Sequence, residues 1–343
     1  MKRSREAVPR QTVLILVKCA PYAMPLIDLP LEELRNYQGR NPKPADFDAY
    51  WDRGLAEMNA LDGQVELVPS EFRSSIADCF DLWFTGVGGA RIYAKYVRPK
   101  NAQAPNPGAL LFHGASLHSG DWNDKLALAS EGFSVMALDC RGQGGKSQDL
   151  GGRHGTTFYG QLVRGADDPN PDLMLYRQMY LDTAQLAKIM MSMPEVDSNR
   201  IVTMGWSQGG GLSLACAALV PEVKKAAPAY PYLCDWKRVW EMDLATAAYQ
   251  SIRDWFRMFD PRHEREDYFW DRMGYIDVQH LAPRIKAEVL MGCGLMDTIC
   301  PPSTQFAAYN KIQSKKEVVI YPDFGHEGLP GFGDKVFEFV RGV

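Results

Sequence analysis

Three residues have the types and surroundings for nucleophilic chemistry: Ser207, Asp297 and His326. Ser207 stands in Gly205-Trp206-Ser207-Gln208-Gly209. Before it, residues 201–204 (Ile-Val-Thr-Met) form a β-branched apolar run that reads as a short buried strand; after it, residues 212–219 are small and aliphatic, as a buried helix would be. Strand, sharp turn and helix are the context in which a G-x-S-x-G stretch presents a serine hydroxyl at the top of a sheet. The turn is tight and the helix starts close to the strand, so a side chain at either flanking glycine would clash. The Gln208 N–H is then left at a helix N-terminus, where it can stabilise developing negative charge.

A serine nucleophile needs a base, and the base needs an acid to orient it. One histidine follows the last expected strand, His326, in Tyr321-Pro322-Asp323-Phe324-Gly325-His326-Glu327. For the acid, Asp297 lies just beyond an expected strand at residues 287–292, from which a neighbouring loop can reach the histidine ring. Asp323 competes, but three residues from His326 in the same loop it is better suited to shaping the turn. A second oxyanion donor is expected from His113-Gly114-Ala115, at the end of another strand, with the Ala115 N–H opposite that of Gln208. His113 reads as a structural loop residue rather than a second base.

These residues require a particular frame. Residues 65–97 alternate with period two and carry Gly86-Val87-Gly88-Gly89 as a hairpin turn, which predicts antiparallel edge strands. A helix is predicted over 46–61. Buried strands at 109–112, 133–138, 201–204, 225–229, 287–292 and 317–321 alternate with helical stretches such as 181–191. That rhythm predicts an α/β fold with a mostly parallel sheet covered on both faces. Residues 230–285 interrupt it with a helical, aromatic-rich insertion that includes Trp236, Trp240, Trp255 and Trp270. A packed helical layer and a lid or subunit contact remain open for that insertion.

Composition narrows the classes. With 343 residues, 46% apolar and 23% charged, the chain has enough apolar sequence for a large core. A net charge of −4 and scattered histidines argue against a nucleic-acid or anionic-membrane partner. The seven cysteines form no C-x-x-C pair, which suits a reducing compartment. Arg141-Gly142-Gln143-Gly144-Gly145 follows a strand but lacks the Lys-Ser/Thr of a phosphate loop, so Arg141 reads as a brace between loops. No clustered metal ligands or dinucleotide fingerprint occur, and neither metal nor cofactor is expected. Lys2, Arg3, Arg5 and Arg10 precede only six apolar residues at 12–17, short for a secretory signal and far too short to span a membrane. Residues 1–23 therefore read as an extension, with one working domain over 24–343.

Together, Arg141-Gly-Gln-Gly144, Gly205-Trp-Ser-Gln-Gly209 and His326-Glu327 resemble the acetyl xylan esterase/cephalosporin C deacetylase family, carbohydrate esterase family seven. The likeness runs through residues 24–343 and includes Asn41-Pro-Lys-Pro44, Gly120-Asp-Trp122, Tyr230-Pro231 and Asp297-Thr-Ile-Cys-Pro-Pro302. It implies an α/β-hydrolase that removes acetyl groups from small sugars, xylo-oligosaccharides above all, and from cephalosporin C. It also implies a cytoplasmic hexamer whose sites face an internal cavity. The family's catalytic set maps onto Ser207, Asp297 and His326, and its oxyanion donors onto the backbone of Gln208 and Ala115. Trp206 and Pro231 are candidates for the substrate pocket. Two departures stand out: the family usually has glycine where this chain has Trp206, and tyrosine where it has Ala115. A longer-chain carboxylesterase or a peptidase on the same fold, and a non-catalytic relic, are the competing readings.

Overall fold

The computed structural model describes residues 27–150 and 161–343, so the expected extension at 1–23 lies outside the described residues. The chain opens with the single turn α1 (Leu31–Leu34) and the helix α2 (Phe47–Asn59), then enters β1 (Glu66–Pro69), β2 (Ala77–Thr85) and β3 (Arg91–Pro99). Next come β4 (Asn106–Phe112), α3 (Leu126–Ser130), β5 (Ser134–Leu138), α4 (Leu175–Ser192), β6 (Val196–Trp206), α5 (Gln208–Leu219) and β7 (Lys225–Ala229). The insertion supplies α6 (Trp236–Glu241), α7 (Gln250–Phe259), α8 (Glu266–Gly274) and α9 (Val278–Leu281). The chain closes with β8 (Glu288–Gly294), α10 (Pro302–Tyr309), β9 (Lys316–Tyr321) and α11 (Phe332–Arg341).

All nine strands form one sheet in the order β1-β2-β3-β5-β4-β6-β7-β8-β9. β1, β2 and β3 pair antiparallel, and β3 pairs antiparallel with β5. From β5 to β9 every pairing is parallel. The expected mostly parallel sheet with an antiparallel edge is what the structure has. Because β5 lies on one side of β4 and β6 on the other, the chain reverses direction across the sheet there. The carboxyl ends of strands at such a switch are where open α/β sheets bind ligands, and the loops after β4 and β6 carry Ala115 and Ser207.

The central strands are covered on both faces, so successive residues bury in opposite directions. In β4, Leu110 and Phe112 join one core with α2, α4 and α5, whereas Ala109 faces the other core beside α3 and α11. Ile201 and Val202 divide in the same way along β6. Two elements extend beyond the apolar runs that predict them. β6 begins at Val196, ahead of the polar Asp197, Ser198 and Asn199, and α4 begins at Leu175 rather than 181. The extra turns of α4 bury Arg177 and Gln178, which find partners distant in sequence. Arg177 pairs with Glu57 at 2.9 Å and Gln178 accepts from Arg141.

Arg141 is the brace that its position after β5 predicts. Fully buried, it donates to both carboxylate oxygens of Asp182 on α4 at 2.6 and 2.8 Å. It also donates to Gln178 at 2.8 Å and to the Val87 carbonyl at 2.7 Å. One guanidinium thus ties the β5 loop, helix α4 and the β2–β3 turn together with the fork geometry that suits arginine. The insertion is a packed aromatic layer: Trp236, Trp255 and Trp270 are buried, and Trp255 lies 4.3 Å from Phe269 between ring centroids. Its near end also reaches the site, as described below. No helix among the described residues is long and apolar enough to cross a membrane.

Removing one partner of a buried ion pair strands the other charge, at a cost of about 3–5 kcal/mol. Arg141→Met is therefore expected to lower the urea midpoint markedly, and adding Asp182→Leu to restore most of it. A single variant as stable as the parent would contradict this role.

Candidate active site

β6 runs into α5 through one residue, Ser207, with φ +56° and ψ −121°. Few side-chain-bearing residues adopt this conformation, and it persists only where surrounding bonds over-determine it. Here the Ser207 N–H donates to the Ala229 carbonyl at 3.0 Å. The Ser207 carbonyl accepts from Tyr232 at 2.9 Å and from Gly211 at 3.1 Å. The flanking glycines are forced by space. A Cβ on Gly205 would lie 2.5 Å from the Phe112 carbonyl oxygen, and one on Gly209 only 2.0 Å from it.

The structure brings together the three residues that the sequence singles out. The His326 Nε2 lies 3.0 Å from Ser207 Oγ, and His326 Nδ1 lies 2.9 Å from Asp297 Oδ2. The other carboxylate oxygen of Asp297 accepts the N–H groups of Ile299 and Cys300 at 2.9 and 2.8 Å. Asp297 is wholly buried, and His326 packs edge-on against the Tyr230 ring at 4.8 Å. With Oδ1 engaged by backbone, Oδ2 is free to accept a proton donor, which fixes His326 as Nδ1–H and leaves Nε2 as the acceptor facing Ser207. Asp323, the competing acid, is exposed on the loop.

The loop after β4 is held from several sides. Asp139 accepts the Ser119 N–H at 2.7 Å and the Lys146 N–H at 2.8 Å. His113 accepts the Cys140 N–H on Nε2 at 3.0 Å and donates from Nδ1 to the Gly114 carbonyl at 2.7 Å. Burial lowers the His113 pKa, so the ring stays neutral with both nitrogens occupied. It is a structural loop residue, as expected. Among the described residues, the Ala115 and Gln208 N–H groups have no protein acceptor. Both residues line a cavity of about 660 Å³ together with Ser116, Gln143, Gln161, Tyr176 and Tyr232, and with Ala247 and Ala248 of the insertion.

Trp206 is 44% exposed and borders a second cleft, of about 430 Å³, with Tyr230, His326 and Glu327. Its ring covers Gly114, where a Cβ would approach within 2.7 Å. Pro231 is buried against Gly210 and lines neither cavity beside the serine. Gln161 and Tyr176 at the larger cavity were not singled out by the sequence; Tyr176 lies ahead of the helical stretch expected at 181–191. Asp297, Cys300 and His326 offer oxygen, sulfur and nitrogen within 4.8 Å of one another. Both Asp297 oxygens are already bonded, however, and burial holds the Cys300 thiol well above its usual pKa, which disfavours a thiolate ligand.

A serine on a strand–turn–helix elbow, with a histidine and a buried aspartate from later loops of a mostly parallel sheet, is the arrangement of an α/β-hydrolase fold in which the serine is the candidate nucleophile. The chain belongs to the acetyl xylan esterase family: that family's profile, acetyl xylan esterase (AXE1), matches residues 24–343. The chain is similar to acetyl xylan esterase 1 from Thermoanaerobacterium sp. JW/SL YS485, with 58% identity and a TM-score of 0.90 over 92% of this chain and 99% of that one. It is also similar to an acetyl xylan esterase from Paenibacillus sp. R4, with 37% identity and a TM-score of 0.85 over the same shares. The curated acetyl esterase Axe7A of Xylanibacter ruminicola is 28% identical over 81% of this chain, which spans 62% of that protein's length.

Asparagine at 297 would keep Oδ1 on the backbone and turn its amide N–H toward His326. That forces the other tautomer and places a proton between Nε2 and Ser207. Asp297→Asn is accordingly expected to lower kcat on p-nitrophenyl acetate by about 10⁴-fold, and a loss below tenfold would contradict this arrangement.

Proposed function

We propose that the protein is a carboxylic ester hydrolase that removes O-acetyl groups from small acetylated sugars, xylo-oligosaccharides in particular, and from cephalosporin C. The observation that carries this reading is the Ser207–His326–Asp297 chain of hydrogen bonds beside a polar cavity, in a member of the acetyl xylan esterase family. Ser207 Oγ attacks the acetyl carbonyl carbon while its proton passes to His326 Nε2. The oxyanion forms against the N–H groups of Gln208 and Ala115, each such donor being worth about 10²–10³-fold in rate. The tetrahedral intermediate expels the sugar alkoxide, which takes the proton back from His326. Water, deprotonated by His326, then attacks the acetyl-enzyme, and the second tetrahedral intermediate releases acetate by expelling Ser207 Oγ, which takes the proton back from His326. Asp297 holds the imidazole in the required tautomer and supports it when it is charged.

The amide and hydroxyl lining of the larger cavity (Gln143, Gln161, Ser116, Tyr176) suits a small polar ligand. Trp206 shares a cleft with His326, the side on which this reading puts the leaving alcohol. Ala115 carries only a methyl where the family usually has tyrosine, leaving the acyl side wider. We also carry over from the resemblance a hexameric assembly and a cytoplasmic location. The six described cysteines are buried and unpaired, which suits a reducing compartment.

Acetate release from acetylated xylo-oligosaccharides and from cephalosporin C is expected in the parent and absent in Ser207→Ala. Cleavage of aminoacyl-anilides with no acetate release would assign a peptidase instead. Ala115→Tyr is expected to narrow preference toward acetate over propionate and butyrate esters, an expectation that unchanged relative rates would refute.

A further inference from the structure

The two proposed oxyanion donors come from loops that are distant in sequence, and a run of side-chain amides joins them. Gln208, fully buried, pairs reciprocally with Gln143: Gln143 Nε2 donates to Gln208 Oε1 at 2.7 Å, and Gln208 Nε2 donates to Gln143 Oε1 at 3.0 Å. The same Gln143 Oε1 accepts the Ser116 N–H at 2.9 Å. Ser116 has φ +66°, a left-handed conformation uncommon for a residue with a side chain, and its N–H follows that of Ala115 by one residue.

The amide orientations follow from backbone at the far end. Gln161 Nε2 donates to the Gly142 and Arg141 carbonyls at 2.7 and 3.2 Å. Its Oε1 must therefore face Gln143, where it accepts from Nε2 at 2.7 Å. That turns Gln143 Oε1 toward the Ser116 N–H, and the Tyr176 hydroxyl completes Gln208 Oε1 at 2.9 Å. Each amide orientation in the network is thus fixed from its far end. Chains of this kind rigidify what they join when every member is satisfied.

From this we infer that Gln143 is a positioning residue of the oxyanion hole, holding the Ala115–Ser116 backbone in register with the start of α5. This rests on the serine esterase reading above. It makes no claim that Gln143 touches substrate. An oxyanion donor acts only when aimed at the place where charge develops, so a loosened Ala115 loop weakens the transition state more than the ground state.

The test compares Gln143→Leu with the parent on p-nitrophenyl acetate and measures inhibition by a trifluoromethyl ketone, whose adduct on serine carries an oxyanion. The expected result is a fall in kcat of roughly ten- to a hundredfold with KM changed little, and a parallel rise in Ki for the ketone. A rise in KM with kcat unchanged would make Gln143 a substrate-binding residue and overturn the inference, as would an unchanged Ki. Should Gln143→Leu fail to fold, Gln161→Leu, which removes only the far anchor, decides by the same pair of measurements. Parallel shifts in kcat and Ki there support the inference; unshifted values overturn it. Fluorophosphonate labelling of Ser207 in the parent separates the two levels. An unlabelled parent defeats the esterase reading, whereas a labelled parent with indifferent variants defeats only the role of Gln143.

Discussion

The strained backbone of Ser207 is the constraint on which the rest of the site depends. A residue at φ +56° returns to ordinary conformations unless it is held, and here both its N–H and its carbonyl are bonded to the β7 end and the segment after it. Those bonds require β6 and β7 to be neighbours in the parallel sheet. They also require α5 to start against the end of β4, which Gly205 and Gly209 alone permit. Burial of both sheet faces then fixes the strands, and the strands fix the elbow. The hydroxyl is placed by the fold, and only its protonation partner comes from elsewhere.

That partner is assembled from the far side of the chain. His326 follows β9 and Asp297 follows β8, so both loops leave the same sheet edge as Ser207. Asp297 spends one oxygen on backbone and one on His326, which converts a buried charge from a liability into a means of fixing a tautomer. Arg141 performs a related service one layer away. Its three partners lock the loop that carries Gln143, and Gln143 in turn reaches the loop of Ala115. Stability and site geometry therefore share one polar framework.

Much of this was legible in the sequence because it rests on local signals. The apolar run before Gly205, the glycines of the elbow, one candidate base after the last strand and a preferred acid, Asp297 over Asp323, need no knowledge of contacts. The antiparallel edge followed by a parallel sheet was visible in a change of period near residue 100. What escaped were features that depend on partners distant in the chain. The first turns of α4 look too polar to be buried until Glu57 and Arg141 are seen to pair with Arg177 and Gln178. The glutamine network was invisible for the same reason, since an amide reads as surface until its three partners are known. Pro231, whose place beside Tyr230 suggested a pocket wall, proves to be a packing residue beneath α5.

The measurement that bears most directly on the central claim is the fate of the acetyl group. Rapid quenching during turnover of p-nitrophenyl acetate, followed by peptide mass analysis, should find one acetyl on the peptide containing Ser207. No such adduct should form in Ser207→Ala. Acetyl on another residue, or turnover undiminished in Ser207→Ala, would contradict a serine nucleophile set by the elbow.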